Sequence, residues 1–259
     1  MISTVIAPDT SISLWVKQVL IFEDKQGSQK TSLPFFADGF PGLIFHETEN
    51  GLFVNPHNKK MPSLFLYGQT IEPVELVLHG HFRLIVFQLF PFVLKSFFKV
   101  DPLVLKDQCF DVTQLENNLG METKEQLEKT NNWEQTIQVM SALLLVLFKN
   151  KLEQFDTPIT RAIQKIIEKK GQVQVRELYE DIQLTERTFE RRFFSSVGIT
   201  AKQFSKIIQF QQSLEQLSSK DYKKLTDVVY ANGYADQSHF IKVFKEFTGK
   251  TPNAFKTKK

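Results

Sequence analysis

Two clusters of side chains in the last third of the chain could read something flat and polar. Arg187, Glu190 and Arg191 stand three and four residues apart, so a helix would bring them to one face. Gln237, Ser238, Ile241, Lys242 and Lys245 make a second such face. Arginine forks onto the O6 and N7 of guanine, a carboxylate accepts from the amine of cytosine, and an aliphatic group meets the methyl of thymine. Arg187 and Arg191 suit the first task, Glu190 the second and Ile241 the third. Gln237, Ser238 and Lys242 would read or position, and Lys245 would meet phosphate. Glu190 has an equally good structural reading, in which it only orients an arginine. A different chemistry belongs to His79-Gly80-His81. Its alternate imidazoles would face a metal ion if the three residues lay along one strand. No glutamate follows closely, and two turn histidines beside a glycine are the favoured reading.

The elements that position the first two clusters are written twice. Phe189, Phe193, Gly198, Thr200 and Phe204 recur as Phe240, Phe244, Gly249, Thr251 and Phe255, each pair 51 residues apart. A repeat constrains architecture before any single motif does, and two copies describe two small modules of one kind. Phenylalanines four apart share the inner face of a helix. Thr185 and Asp236 predict the N-caps of those helices, because their oxygens accept from free first-turn amides. Gly198 and Gly249 predict left-handed helix ends. Residues 175–182, with Val175, Leu178 and Ile182 on one face, and residues 225–231 read as the short helices ahead. Asn232-Gly233 is the turn of the second copy. Residues 202–217 read as a long helix joining the copies.

In these residues the chain resembles the DNA-binding domain of the AraC/XylS family. GYADQSHFIKVFKEFTGKTPNAFK, residues 233–256, is similar to the C-terminal half of that domain, and TERTFERRFFSSVGITAKQF to its first helix-turn-helix. Glycine, paired phenylalanines and Thr251-Pro252 fall in register. The resemblance implies two helix-turn-helix units joined by a long helix, with both recognition helices in successive major grooves on one side of the duplex. It implies a sequence-specific transcription regulator, taken here as an activator, whose partner is double-stranded promoter DNA. RNA polymerase and a small-molecule effector are further candidate partners. Three positions depart from the family. Tyr179 and Val229 stand about where a small alanine is frequent in the first helix of each unit. Gln209 stands where the linking helix often has an arginine, which would remove one phosphate contact. Lys242 replaces a usual arginine, keeping the charge and losing the bidentate fork.

Charge divides the chain at the same place. From Ile159 onward there are 19 Lys+Arg against 11 Asp+Glu, a net of +8, whereas residues 1–158 carry 13 against 18, a net of −5. The basic part is the repeat, where a polyanion would bind. With 259 residues, 42% hydrophobic content and 25 phenylalanines, the chain is long and apolar enough for two packed domains. The single cysteine, Cys109, excludes an intramolecular disulfide and a cysteine-based zinc cluster. It also weighs against a DNA-repair alkyltransferase carrying the same C-terminal module. No basic region followed by a long apolar run opens the sequence, so no signal peptide is expected. The longest apolar stretch, residues 142–148, is too short to span a bilayer, and the expected location is the cytoplasm, with no membrane partner. No Gly-rich phosphate loop, nucleophile elbow or supported carboxylate pair is present. The chain is therefore expected not to be an enzyme, with no catalytic residue, metal ligand or cofactor assigned. The alternative is a metal-dependent cupin-like enzyme domain fused to a DNA-binding module, with only His79 and His81 in its favour.

The first half reads as short strands over residues 14–22, 42–47, 51–54, 63–69 and 74–79, with residues 83–90 the most apolar and expected across the core. Such spacing suggests a small jelly roll or barrel, a sensor-like domain of unassigned ligand. Residues 91–98 begin a helix over its mouth, with Phe92, Leu94, Phe97 and Phe98 in contact. Beyond it the pattern turns helical. Val112, Leu115 and Leu119 share a face, Gly120 reads as a stop, and residues 123–130 as a short polar helix. Residues 133–152 form a longer helix, with Ile137, Met140, Leu144, Leu147 and Phe148 in one stripe and Leu143, Leu145 and Val146 beside it. One stripe covers the sensor domain, and the rest reads either as further burial against that domain or, the favoured reading, as the interface of a homodimer. Residues 149–158 read as a linker, and Asp156-Thr157-Pro158 opens a helix over 159–170 by a cap and a first-turn proline, with Gly171 at its end. The expected fold is an α+β multidomain chain. Residues 1–112 form a β-rich jelly-roll or barrel-like domain, 113–155 a helical extension for dimerisation and linkage, and 156–259 an all-α domain with two helix-turn-helix units.

Overall fold

The run FRLIVFQL is the centre of the first of two units, which comprises residues 1–35, 40–68 and 74–155. The computed structural model describes residues 2–115, 118–149 and 155–256. In this unit the strands are β1 (Ile2–Ile6), β2 (Val16–Asp24), β3 (Thr31–Phe35), β4 (Gly42–Thr48), β5 (Phe53–Asn55), β6 (Lys59–Lys60), β7 (Leu64–Tyr67), β8 (Val74–Leu78), β9 (Phe82–Leu89) and β10 (Cys109–Asp111). Pairing is antiparallel in two sheets, ordered β1-β2-β9-β4-β7-β10 and β3-β8-β5-β6. Every residue of β9 is buried because both its faces are covered. Phe82, Leu84 and Val86 join Ile44, Phe65 and Tyr67 against Leu33, Leu76 and Leu78 of the other sheet, so the space between the sheets is filled by side chains. The alternate residues of β9 lie towards α2 (Trp133–Phe148), where Trp15, Phe97 and Phe148 stack with ring centroids 4.2–5.9 Å apart. Each such fully buried side chain contributes about 1.5–3 kcal/mol.

Several expectations need correction. β2 starts at Val16, because the chain turns at residues 10–15 and Leu14 stands exposed. β3 escaped notice because it is short and holds Pro34, which an edge strand tolerates. His79 and His81 lie in the turn between β8 and β9, with Gly80 at φ 74, not along a strand. His79 Nδ1 meets the Gln29 carbonyl oxygen at 2.7 Å, and His81 Nε2 lies 3.9 Å from Glu49. Among the described residues no three His, Cys, Asp or Glu gather to hold a metal ion. Residues 94–98 form a π-helical turn with Leu94, Phe97 and Phe98 buried. Gly120 does not stop a helix but sits in the first turn of α1 (Leu119–Leu127), where any side chain would strike the carbonyl of Val112. α2 ends at Phe148 with Lys149 as its C-cap, and the last residues of the expected helix, 150–152, lie outside the described residues. Leu143 is buried within its own unit, leaving Leu145 and Val146 as the bare apolar pair, 40% and 57% exposed. Among the described residues no helix is long and apolar enough to cross a membrane.

The second unit holds residues 156–259 with the short segments Phe36–Gly39 and Gln69–Pro73. Its helices are α3 (Thr157–Glu168), α4 (Val175–Asp181), α5 (Glu186–Val197), α6 (Ala201–Ser219), α7 (Leu225–Ala231), α8 (Gln237–Thr248) and α9 (Pro252–Lys256). α3 begins earlier than its apolar pattern, since Asp156 Oδ1 accepts from the Ile159 amide at 3.2 Å and Pro158 occupies the first turn.

Candidate nucleic-acid interface

The repeat builds one scaffold twice. α4 and α7 have 7 residues each, and α5 and α8 have 12. Phe189 and Phe193 are buried with centroids 5.6 Å apart, as are Phe240 and Phe244. The next ring of each series, Phe204 or Phe255, closes on the second phenylalanine at 5.9 and 5.4 Å. Gly198 and Gly249 end the two helices at φ 87 and 70, a conformation that glycine adopts without strain. Thr185 Oγ1 accepts from the Thr188 amide at 3.4 Å, and Asp236 Oδ1 from the His239 amide at 2.7 Å. The oxygens of Thr185 and Asp236 are thus engaged at the N-termini of α5 and α8.

That scaffold settles which side chains face outward. On α5, Arg187 and Arg191 are exposed one turn apart and Glu190 is half-buried. On α8, Gln237, Ser238, Lys242 and Lys245 are exposed and Ile241 is half-buried. His239, which the sequence reading passed over, also stands exposed in the first turn of α8, its ring 5.6 Å from Tyr234. Arg187, Arg191, Lys242 and Lys245 make no ion pair among the described residues, so their charge is available to a polyanion. Burial, and then the neighbouring charge of Glu186, raises the Glu190 carboxyl above the usual range. Phe194, where copy two has Lys245, remains 41% exposed.

The two copies are fastened differently. Arg192 on the back of α5 grips Asp156 with two bonds, Nε to Oδ2 at 2.8 Å and Nη2 to Oδ1 at 2.5 Å. The matching residue of α8 is Val243, which is buried. In copy two α8 is joined to α6 by Lys206 Nζ, which donates to both Glu246 oxygens at 2.8 and 2.7 Å, and the turn is tied down by α6 as well. Gln209 Nε2 donates to the Asn232 carbonyl at 2.8 Å, and Asn232 Nδ2 donates to Gln216 Oε1 at 2.7 Å. The hydroxyls of Ser213 and Tyr234 meet at 3.4 Å, and burial pushes the Tyr234 phenol up to about 12. Gln209 therefore holds a turn of the second copy. The turns also differ in length. The first helices are 50 residues apart and the recognition helices 51, so copy two carries one extra residue between them. Gln183, at φ 55, fills in copy one the left-handed place of Gly233.

Residues 178–258 match the family model of a helix-turn-helix domain, and residues 4–111 match a domain of unknown function (DUF6597). No curated protein matches the chain in sequence. Among solved structures the chain is similar to ToxT from Vibrio cholerae, with 14% identity over 93% of this chain and 97% of that one, and a TM-score of 0.47. It is similar to wild-type ToxT with an unsaturated fatty acid bound, at 13% identity over 92% and 93% and a TM-score of 0.45. It is also similar to the C-terminal domain of AraT, a response regulator from Geobacillus stearothermophilus, at 20% identity over 39% and 85% and a TM-score of 0.37. The C-terminal part of the chain is an AraC-type helix-turn-helix domain, and the protein is a DNA-binding transcription regulator with a β-rich domain of unassigned function ahead of it.

Proposed function

We propose that α5 and α8 are recognition helices that enter successive major grooves of promoter DNA. Arg187 and Arg191 read guanine from α5, with Glu190 accepting from a cytosine amine or orienting an arginine. Gln237, Ser238 and Lys242 read or position from α8, Ile241 meets a thymine methyl, and Lys245 meets phosphate. Thr185 and Asp236 hold the helix N-termini that approach the backbone. The observation that carries this reading is the pair of exposed, unpaired arginines one turn apart on a helix whose other side is phenylalanine core. With roughly 6–10 phosphates neutralised, affinity falls about 10³–10⁵-fold between 50 and 200 mM salt. Titration of the full chain against promoter fragments at several salt concentrations tests this, and a constant affinity would end it. A footprint over two grooves about 34 Å apart is expected, and one groove alone would remove α8 from the reading.

The same reading places the protein in the cytoplasm with its DNA and gives it RNA polymerase as a partner in activation. A homodimer is supported by Leu145 and Val146, an apolar pair left bare on α2. Their joint change to glutamate should leave a folded monomer with weakened binding to a paired site. A wild-type chain that sediments as a monomer at tens of micromolar would end the idea. An apolar effector has room in a groove of about 460 Å³ lined by Phe98, Phe110, Leu119, Val146 and Leu147, since the space between the sheets is filled.

A further inference from the structure

We infer that Asp156 and Arg192 are positioning residues for the first recognition helix, holding α5 at the angle at which Arg187 and Arg191 reach base edges. The inference rests on α5 being a recognition helix. Three observations carry it. The pair is bidentate, the arrangement of a guanidinium and a carboxylate that restricts orientation as well as distance. One partner, Arg192, is the residue next to Arg191, so a shift of its guanidinium is transmitted directly to the reading face. The other, Asp156, is fixed in turn, because its Oδ1 also accepts from the Ile159 amide at the start of α3. α5 is thereby tied to the N-terminus of α3 by a planar fork at the place where α8 has the buried Val243, whereas the ion pair of α8 joins Glu246 to α6 through the Lys206 ammonium, a point charge that fixes distance more than orientation. Apolar packing resists separation but tolerates small rotations, and a forked ion pair resists both.

Asp156 has two roles, as cap and as ion-pair partner, and they can be separated. Asp156→Ser keeps an oxygen for the cap and removes the fork, whereas Arg192→Met removes the fork and leaves the cap untouched. Arg192→Lys keeps the charge without the fork. The experiment compares full-length variants on the promoter site and on sites mutated in one half or the other, and reads the ratio of affinities within each variant. That ratio does not depend on how much of the protein is folded. The expected result is that Asp156→Ser and Arg192→Met each lower discrimination at the half-site facing α5 by roughly tenfold, about the loss of one bidentate base contact. Discrimination at the half-site facing α8 should stay at the wild-type value, with Arg192→Lys between. Unchanged ratios in both variants, or equal losses at both half-sites, would overturn the inference. A wild-type protein without discrimination at the first half-site would instead remove α5 as a reader, and the positioning role with it.

Discussion

The two helix-turn-helix units have the same inside and different outsides. Their paired phenylalanines, capping oxygens and terminal glycines superpose in sequence at one spacing, and the ring distances agree to within half an ångström. What differs is the reading face and the fastening. α5 presents arginine forks and is clasped to α3 by an arginine–aspartate fork, whereas α8 presents lysines and one amide and is held by a lysine–glutamate pair to α6, the buried Val243 and a hydrogen-bonded turn. Arginine suits bidentate reading and lysine acts as a point charge, so on the proposed reading the first unit would supply base choice and the second grip with milder preference.

The equivalence of the insides gives the largest test. Phe193→Ala and Phe244→Ala should each destabilise the second unit by about 3–5 kcal/mol, measured by chemical denaturation. Costs that differ severalfold would show that the cores are not equivalent. Next come the reading faces, at matching positions of the two helices. Arg191→Ala should weaken the specific site by about 1–3 kcal/mol and relax the preference at one base pair. Lys242→Ala should weaken all sequences more evenly and reduce the salt slope by about one. The opposite pattern would reverse the division of labour. The turns give a smaller contrast. Gly233→Ala should cost about 1–2 kcal/mol, because a Cβ at φ 71 is strained and lies 2.7 Å from Gln172 Oε1. Gln183→Gly relieves strain already present and should be neutral or stabilising in the same thermal melts.

The smallest effect concerns Glu190, whose raised carboxyl means that the folded state favours its protonated form. The ionised form therefore costs stability, and that cost is relieved as pH falls through its pKa. Phosphate nearby strengthens the preference, so DNA binding should take up a proton and tighten as the solution is acidified. Glu190→Gln should bind more tightly near neutral pH and flatten this dependence, as followed by fluorescence anisotropy. A loss of affinity at every pH would instead identify Glu190 as a reader of cytosine.

The units were readable in the sequence because each depends on residues with a single local meaning. A glycine at a helix end, an oxygen at its start and rings four apart need no knowledge of the rest of the chain. α7 was placed to the residue, and the exposed faces of α5 and α8 came out as their spacing requires. The fastenings were not readable, because Asp156 and Arg192 are 36 residues apart, and nothing local says that they meet. The Gln209 contact was hidden for the same reason, since its partner Asn232 lies 23 residues on, in the turn of copy two. The β-rich domain was less readable still. β3 has only Leu33 and Phe35 to alternate and β6 has no apolar residue, and they exist because β8 and β5 offer them an edge. Leu143 could not be assigned to core from the stripe of α2 alone, because that stripe is apolar over more than one face.

Residues 185–200 and 236–251 look like exchangeable cassettes, each of 16 residues with its rings, glycine and caps in the same places. Arg192 prevents the exchange. Moved to the second socket, it would take the buried place of Val243 at 2% exposure, away from Asp156, at a cost of several kcal/mol. Moved to the first socket, Val243 would leave Asp156 facing no cation. Each helix is keyed to its own socket, so on the proposed reading the order in which the two faces meet a promoter is fixed by the interior as well as by the surface that touches the DNA.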